Sequence, residues 1–562
     1  MPTFPLRAAA AAALLLLANS ALQAQTAPDA GQLLRDANRG PAAAVPAQPP
    51  ERPQPTATEP AAGPRVQVAA FQLSGVTLLP QAEIQARLAG FVGQPAAMAD
   101  LRRAADSVAE LYRERGYLVR AYLPEQTLRD GVVAISVLEG RLADVRVEQA
   151  PPGRNISPGQ VRAMMTARQQ LGAPVRSDDI QRAIGLLNAL PGLSASSLLE
   201  PGEQAGESRL VVSVRDEARI AGQLQLDNAG SKASGEWRAS AGLSLNSPSG
   251  RGDQALLYLS KSSGSDYGSA TYGLPLGPDG LRASINTSRL SYGYNLGASR
   301  YTGAASVLGL SLAYPLLRGE RVNLQASLGQ DHKRFDNAVA GIGLNDKTLD
   351  VSTLGITGDA SDGFFGGGLT QFGLALALGD LDLARNAADL AADRNGPQRQ
   401  GSYQKISWTL SRLQRITAAD TLALTYAGQK ASRNLDSAEK FGATGQSGVR
   451  AYSSAEPSGD NGQLLSLEWR HQVSKLLVLT AYHERARLQR DHTAGPGTPN
   501  PNRFSLAGSG LGLSWGRADL VLVRAALAWR QGDNPVRSPA TGADSDGTRR
   551  NPRAYISLLR IF

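Results

Sequence analysis

From about residue 218 to Phe562, apolar and polar side chains alternate with a period of two. In EWRASAGLSLN, Trp237, Ala239, Ala241, Leu243 and Leu245 alternate with Arg238, Ser240, Gly242, Ser244 and Asn246; RVNLQASLGQ, KISWTLS and TLALTYAGQ repeat the pattern. This period puts successive side chains on opposite faces of a strand, one lipid-compatible and one wet. About sixteen such segments of ~10 residues follow one another, with no helix expected between them, and an even count is the bacterial rule. Beyond residue 24 no stretch is apolar and long enough for a spanning helix, so a membrane reading must rest on strands. A soluble sandwich also alternates, but segment length and continuity favour a transmembrane β-barrel over residues 218–562.

The connections supply an independent test. If the first strand leaves the periplasm, every even-to-odd link is a periplasmic turn: PSGRG after Ser247, GPDG near Gly277, RGE near Arg318, TAA near Thr417, and Ser474-Lys475. All are short. The odd-to-even links include the long ones, Leu381 to Gly401, Asn434 to Asn461, Asp491 to Asn502 and Gly532 to Asn551. Short turns inside and long loops outside are the known asymmetry of such barrels.

The N-terminal third is organised differently. Arg7, the apolar run Ala8 to Leu17 and the small residues ending in Leu22-Gln23-Ala24 read as a signal peptide, residues 1–24. Residues 25–40 hold a short helix over Asp29 to Asn38, with Asp29 able to cap it and Leu33, Leu34 and Ala37 on one face. Residues 41–64 are rich in Pro and Ala and read as an extended linker. Residues 65–141 give a strand (VQVAAFQL), a helix near Pro80 to Ala89, a longer helix near Asp100 to Arg115, and two strands (YLVRAYLP, VVAISVLEG). Residues 142–217 repeat that order with DVRVEQ, helices around Gln160 to Ala167 and Ser177 to Leu190, and SRLVVSV, making two α+β modules in tandem.

Composition narrows the chemistry. The chain has no cysteine, 60 glycines and 5% aromatics, which suits tight turns and a closed hydrogen-bonded sheet. The net charge of +9 is dispersed along the strands rather than gathered in a basic arm, so no nucleic-acid partner is expected. Four histidines without HExxH spacing give no metal site, and no Ser/His/Asp set or cofactor motif points to catalysis. The chain is read as a non-enzyme without cofactors. RGD at Arg251 to Asp253 falls on a periplasmic turn, out of a host's reach, and GSGLGLSWG from Gly508 lies within a strand and opens no helix.

One loop carries more information. The long link between the eleventh and twelfth strands contains Val449-Arg450-Ala451-Tyr452, then Gly459-Asp460-Asn461-Gly462, with Glu468 on the following strand. These strings resemble the sixth loop of the two-partner secretion transporters, which export haemagglutinins and activate and secrete haemolysins. The family's tetrad is Val-Arg-Gly-Tyr, so Ala451 removes backbone freedom at the tip. The resemblance implies that the loop folds back into the lumen, where Arg450 pairs with an acid on the thirteenth strand, LLVLTAYHERARL. Glu484, facing the same side as Thr480 and Tyr482, is the best placed.

The resemblance extends over the chain. VTLLP, LYRERGY, LPEQTLRDG and VLEGRL identify the first module as similar to a polypeptide-transport-associated (POTRA) domain; LLNALPGL, Leu186 to Leu193, does so in the second. The helix at 29–38 is similar to the family's plug helix, and the terminal Phe562 resembles the signal read by the barrel-insertion machinery. Residence in the outer membrane with POTRA domains in the periplasm is implied. So is export of an unfolded partner exoprotein, haemolysin or haemagglutinin-like, bound by the POTRA domains through its N-terminal secretion domain. Outer-membrane lipid and the barrel-assembly machinery are the other expected partners. The alternative, an assembly factor or insertase for other barrels, is disfavoured by two modules rather than more and by the plug helix.

Overall fold

The computed structural model describes residues 27–38, 65–127, 130–149, 155–204 and 206–562; the expected signal peptide and Pro/Ala-rich linker lie outside them. The first element is helix α1 (Ala30–Asn38), capped where Asp29 Oδ1 accepts the Gln32 N–H at 2.8 Å.

The first module contains β1 (Arg65–Gln67), β2 (Ala70–Ser74), α2 (Gln81–Leu88), β3 (Pro95–Ala97), α3 (Met98–Glu114), β4 (Val119–Tyr122) and β5 (Val132–Glu139). The sheet order is β2-β5-β4, with β2 parallel to β5. Leu101, Ala105, Val108, Leu111 and Tyr112 recur at helical spacing along α3 and bury one face against that sheet. VQVAAFQL, expected as one strand, is two. Buried Val68 bonds Gln94 and Gly93 while Ala69 bonds Gly131, so the chain changes sheets between β1, which pairs with β3, and β2.

The second module repeats the plan with β6 (Arg141–Gln149), α4 (Pro158–Thr166), α5 (Ser177–Asn188), β7 (Leu193–Pro201) and β8 (Glu207–Asp216), in sheet order β6-β8-β7. Strand β7, LSASSLLEP, escapes a reading by apolar alternation because serines occupy much of it. The Asn188 side chain starts it, accepting from Ala195 N at 2.6 Å and donating to Ala195 O at 3.0 Å.

Sixteen antiparallel strands, β9 (Ile220–Asp227) to β24 (Arg553–Ile561), close into a barrel. Its outer wall is an apolar belt, including Leu308, Leu310 and Leu312, Leu374, Leu376 and Leu378, and Leu511, Leu513 and Trp515, all exposed. The seam joins Ser557–Ile561 to Gln223–Asp227. Phe562 continues that pairing, donating to Gly222 O at 2.9 Å, and its ring covers Gly222, where a side chain would collide with it.

Two expectations require correction. The strands are not uniformly ~10 residues: Ile342–Asp362 has 21, because ~10 tilted residues cross the hydrocarbon and the rest rise beyond it. Nor is the barrel free of helices, since α6 (Ala387–Arg394) sits in the link between the ninth and tenth strands. Asn386 caps it, its Oδ1 accepting from Ala388 N and Asp389 N at 3.1 Å.

The second module is seated on the near rim. Asp279, in a turn between strands, accepts Arg168 Nε at 3.0 Å and Arg182 Nε at 3.3 Å, and Tyr314 Oη also bonds it. Arg182 reaches Pro315 O at 2.8 Å, and Leu186 covers Gly280. The RGD turn packs here too, with Ser247 Oγ donating to Asn155 O and Asp253 buried.

Candidate functional site

The link between β19 (Asp420–Ala431) and β20 (Asn461–Gln472) folds back into the lumen. Its tip is held by charge. Arg450 Nε donates to Glu484 Oε1 at 2.6 Å, its backbone N–H to Glu484 Oε2 at 2.7 Å, and Nη2 to Glu468 Oε1 at 2.6 Å. Glu484 projects inward from β21 (Leu477–Gln489), and Glu468 from β20, where Arg470 takes its other oxygen at 2.5 Å. The Arg450 guanidinium also stacks on Tyr482. Charge-assisted bonds to two carboxylates, shielded from bulk water, make this a strong clasp.

The tetrad residues have packing roles. Val449, Ala451 and Tyr452 are buried, and Tyr452 N bonds Val449 O at 3.1 Å to form the tip. Ala451 does not adopt a left-handed conformation, so the tip does not need glycine there. Its methyl faces Gly508 on β22 (Arg503–Arg517), where a Cβ would come within 2.6 Å of it. Gly510, on the same face, leaves room for the Tyr482 ring, whose hydroxyl donates to Leu527 O at 3.0 Å. The glycine run is therefore a notch that admits the loop tip.

The loop's return is fixed by Gly459, Asp460, Asn461 and Gly462. Buried Asp460 accepts from Leu435 N, from His492 N at 2.8 Å and from Lys440 Nζ at 2.8 Å. Asn461 Oδ1 accepts Ala431 N at 2.8 Å, while side chains at Gly459 or Gly462 would strike Gln489 O or the Phe441 ring.

Sequence reasoning missed the loop's ascending stem. Asp436 meets Lys347 at 2.5 Å, and Glu439 meets Lys333 at 2.8 Å and Lys405 at 2.6 Å. Three wall lysines thus oppose two loop acids. The signal available was that Lys333, Lys347 and Lys405 interrupt long strands at inward-facing positions.

Helix α1 lies in the same lumen, against wall and loop. Ala30 N donates to Asn337 Oδ1 at 2.8 Å, Tyr294 Oη to Pro28 O at 2.7 Å, and Tyr267 Oη to Asn38 Oδ1 at 2.7 Å. Arg35 donates to Ser437 O at 2.7 Å and Lys440 O at 3.1 Å, and Ser437 Oγ bonds Asp29 at 2.6 Å. Leu33 and Leu34 are buried, and Gly31 allows close approach to Ser437.

Residues 206–515 match the haemolysin secretion/activation protein family ShlB/FhaC/HecB, and residues 66–140 match the ShlB-type POTRA domain. The chain belongs to this family. It is a two-partner secretion transporter of the outer membrane with its POTRA domains in the periplasm, so the rim carrying the modules is periplasmic. The heme/hemopexin transporter protein HuxB of Haemophilus influenzae strain 86-028NP is 24% identical over 84% of this chain and 83% of its own. The hemolysin transporter protein ShlB of Serratia marcescens is 25% identical, covering 71% of each chain. In structure, CdiB from Escherichia coli superposes with a TM-score of 0.71 at 22% identity, covering 94% of this transporter and 96% of CdiB.

Proposed function

We propose that the POTRA modules capture an unfolded, β-rich exoprotein at its N-terminal secretion domain, and that it then crosses a lumen vacated by helix α1. The single observation behind this reading is that loop and helix together occupy the interior of the barrel. An occupied lumen must be gated before a polypeptide passes, and the helix is the detachable part, joined to the arm only through residues 39–64. Arg450, with Glu484 as wall partner, serves to hold the loop; Val449, Ala451 and Tyr452 shape its tip; Gly459, Asp460 and Gly462 anchor its return. Open edges at β4 and β7 offer backbone groups to an extended client. Phe562 acts as the insertion signal read by the assembly machinery, and lipid surrounds the belt. No enzymatic step enters this reading; folding of the client outside gives direction.

The relatives' names point to more than one cargo, so the cargo is found by experiment. Co-expression with a large, repeat-rich exported protein encoded by the neighbouring reading frame should release it to the medium. Retention in the periplasm despite a correctly assembled barrel would sink the reading. Loss of unrelated outer-membrane barrels on depletion of this protein would instead favour an insertase.

A further inference from the structure

We infer that the outer face of the barrel on strands β19 to β22 binds a phosphorylated glycolipid of the outer leaflet. Side chains alternate along β21: Tyr482, Glu484 and Ala486 point into the lumen, while His483, Arg485 and Arg487 are exposed on the outside. Exposed Arg503 begins β22, and exposed Lys430 stands near the end of β19. Cross-strand register gathers these positions. Arg487 lies between Gln463 and Ser505, Arg503 is opposite Gln489, and Lys430 is one residue beyond the Gln429–Gly462 pair. Trp408, Lys430, Gln463, Arg487 and Arg503 line one cleft, and the Trp408 and Tyr426 rings lie 6.3 Å apart just below Lys430. Among the described residues, none of the four cations has a carboxylate partner. Lys261 and Arg334, outward on other strands, are paired: Lys261 meets Asp266 at 2.5 Å, and Arg334 meets Asp346 at 3.2 Å.

The height of this group selects the ligand. A strand tilted by about 45° climbs ~2.4 Å per residue. Counted from Leu477 at the periplasmic rim, Arg485 and Arg487 stand ~19 and ~24 Å up, in the upper part of a hydrocarbon band ~25 Å tall. The row holding Arg503 is just above it. Four unpaired cations at that level, with amide and hydroxyl donors beside them, match the phosphates and sugar hydroxyls of a lipid A-type headgroup. The aromatic pair shares the cross-strand rows of Arg487 and Arg485 and sits one row below Lys430 and Arg503, where the headgroup meets its acyl chains.

Purified full-length transporter, titrated with lipopolysaccharide in detergent, tests the site. Replacing Arg485, Arg487 and Arg503 together by Gln should weaken binding at least ~tenfold, since each cation adds its own attraction to phosphate. Lys261→Gln should leave it unchanged. The unheated, compact electrophoretic form of the triple variant verifies that its barrel has closed. Undiminished binding by that closed variant overturns the proposal. So does equal binding of dephosphorylated lipopolysaccharide, or of phosphatidylglycerol vesicles, which would show an unselective surface.

Discussion

The guanidinium carbon of Arg450 lies 3.4 Å from the centre of the Tyr482 ring, which is itself backed by Gly510. Loop, ring and wall therefore form one stack, with Glu484 and Glu468 as its electrostatic sides.

Arg450→Ala should abolish export of the partner while the barrel still assembles. Removing one member of a buried pair costs roughly 3–5 kcal/mol, because Glu484 stays behind uncompensated while Glu468 keeps Arg470. Partner protein in the medium, set against the heat-modifiable band of the barrel, gives the answer; normal secretion would remove the loop role. Arg450→Lys should restore little, since an ammonium cannot both fork to two acids and lie flat on the ring.

Gly510→Ala should reproduce much of that loss, because its methyl would collide with the Tyr482 ring. Gly343→Ala, where a Cβ meets nothing within 4 Å, is the matched control and should secrete normally. Equal secretion by both variants would show that the notch is unimportant.

Deleting residues 29–38 should raise the conductance of the purified protein in planar bilayers. Arg35→Ala, which strips the helix of its bonds to Ser437 and Lys440, should do so partially and with more frequent opening events. Unchanged single-channel traces for the deletion would rule out a plug.

In the first POTRA module Glu139 is a hub: it accepts Thr77 N at 2.8 Å, Leu78 N at 2.9 Å and Tyr112 Oη at 2.7 Å, and the Thr77 hydroxyl as well. Burial pushes its carboxyl up, but those donors outweigh burial and hold it below its ordinary 4.5. A lowered folded-state value means the hub's stabilisation is present above pH 4.5 and is lost as pH falls through the folded value. Thermal melting of the module's helical signal between pH 6 and 3 should show this decline, and Glu139→Gln should flatten it.

Much of this was legible in the sequence, for identifiable reasons. A two-residue period is written in consecutive letters, so the barrel, its strand count and its turn polarity could be read directly. The strings VTLLP, LYRERGY and VLEGRL are far apart, yet Thr77, Tyr112 and Glu139 meet in one hydrogen-bond network. The ion pairs of Asp436 and Glu439 with wall lysines were hidden, because alternation marks those lysines as inward without showing which loop acid folds back to meet them. Strand β7 and helix α6 were missed since side-chain hydrogen bonds from Asn188 and Asn386, rather than apolar periodicity, begin them.

The docking of the second module has a mechanical consequence. Its contacts with Asp279, Tyr314 and Pro315 grip the periplasmic ends of the staves running from Ser265 to Arg318. At their opposite ends the same staves present Tyr267 and Tyr294 to helix α1. The second module and helix α1 thus hold the two ends of one set of levers; if the arm receives the client and the helix stops the pore, as proposed, a tilt begun at the periplasmic end would displace the seat of the helix.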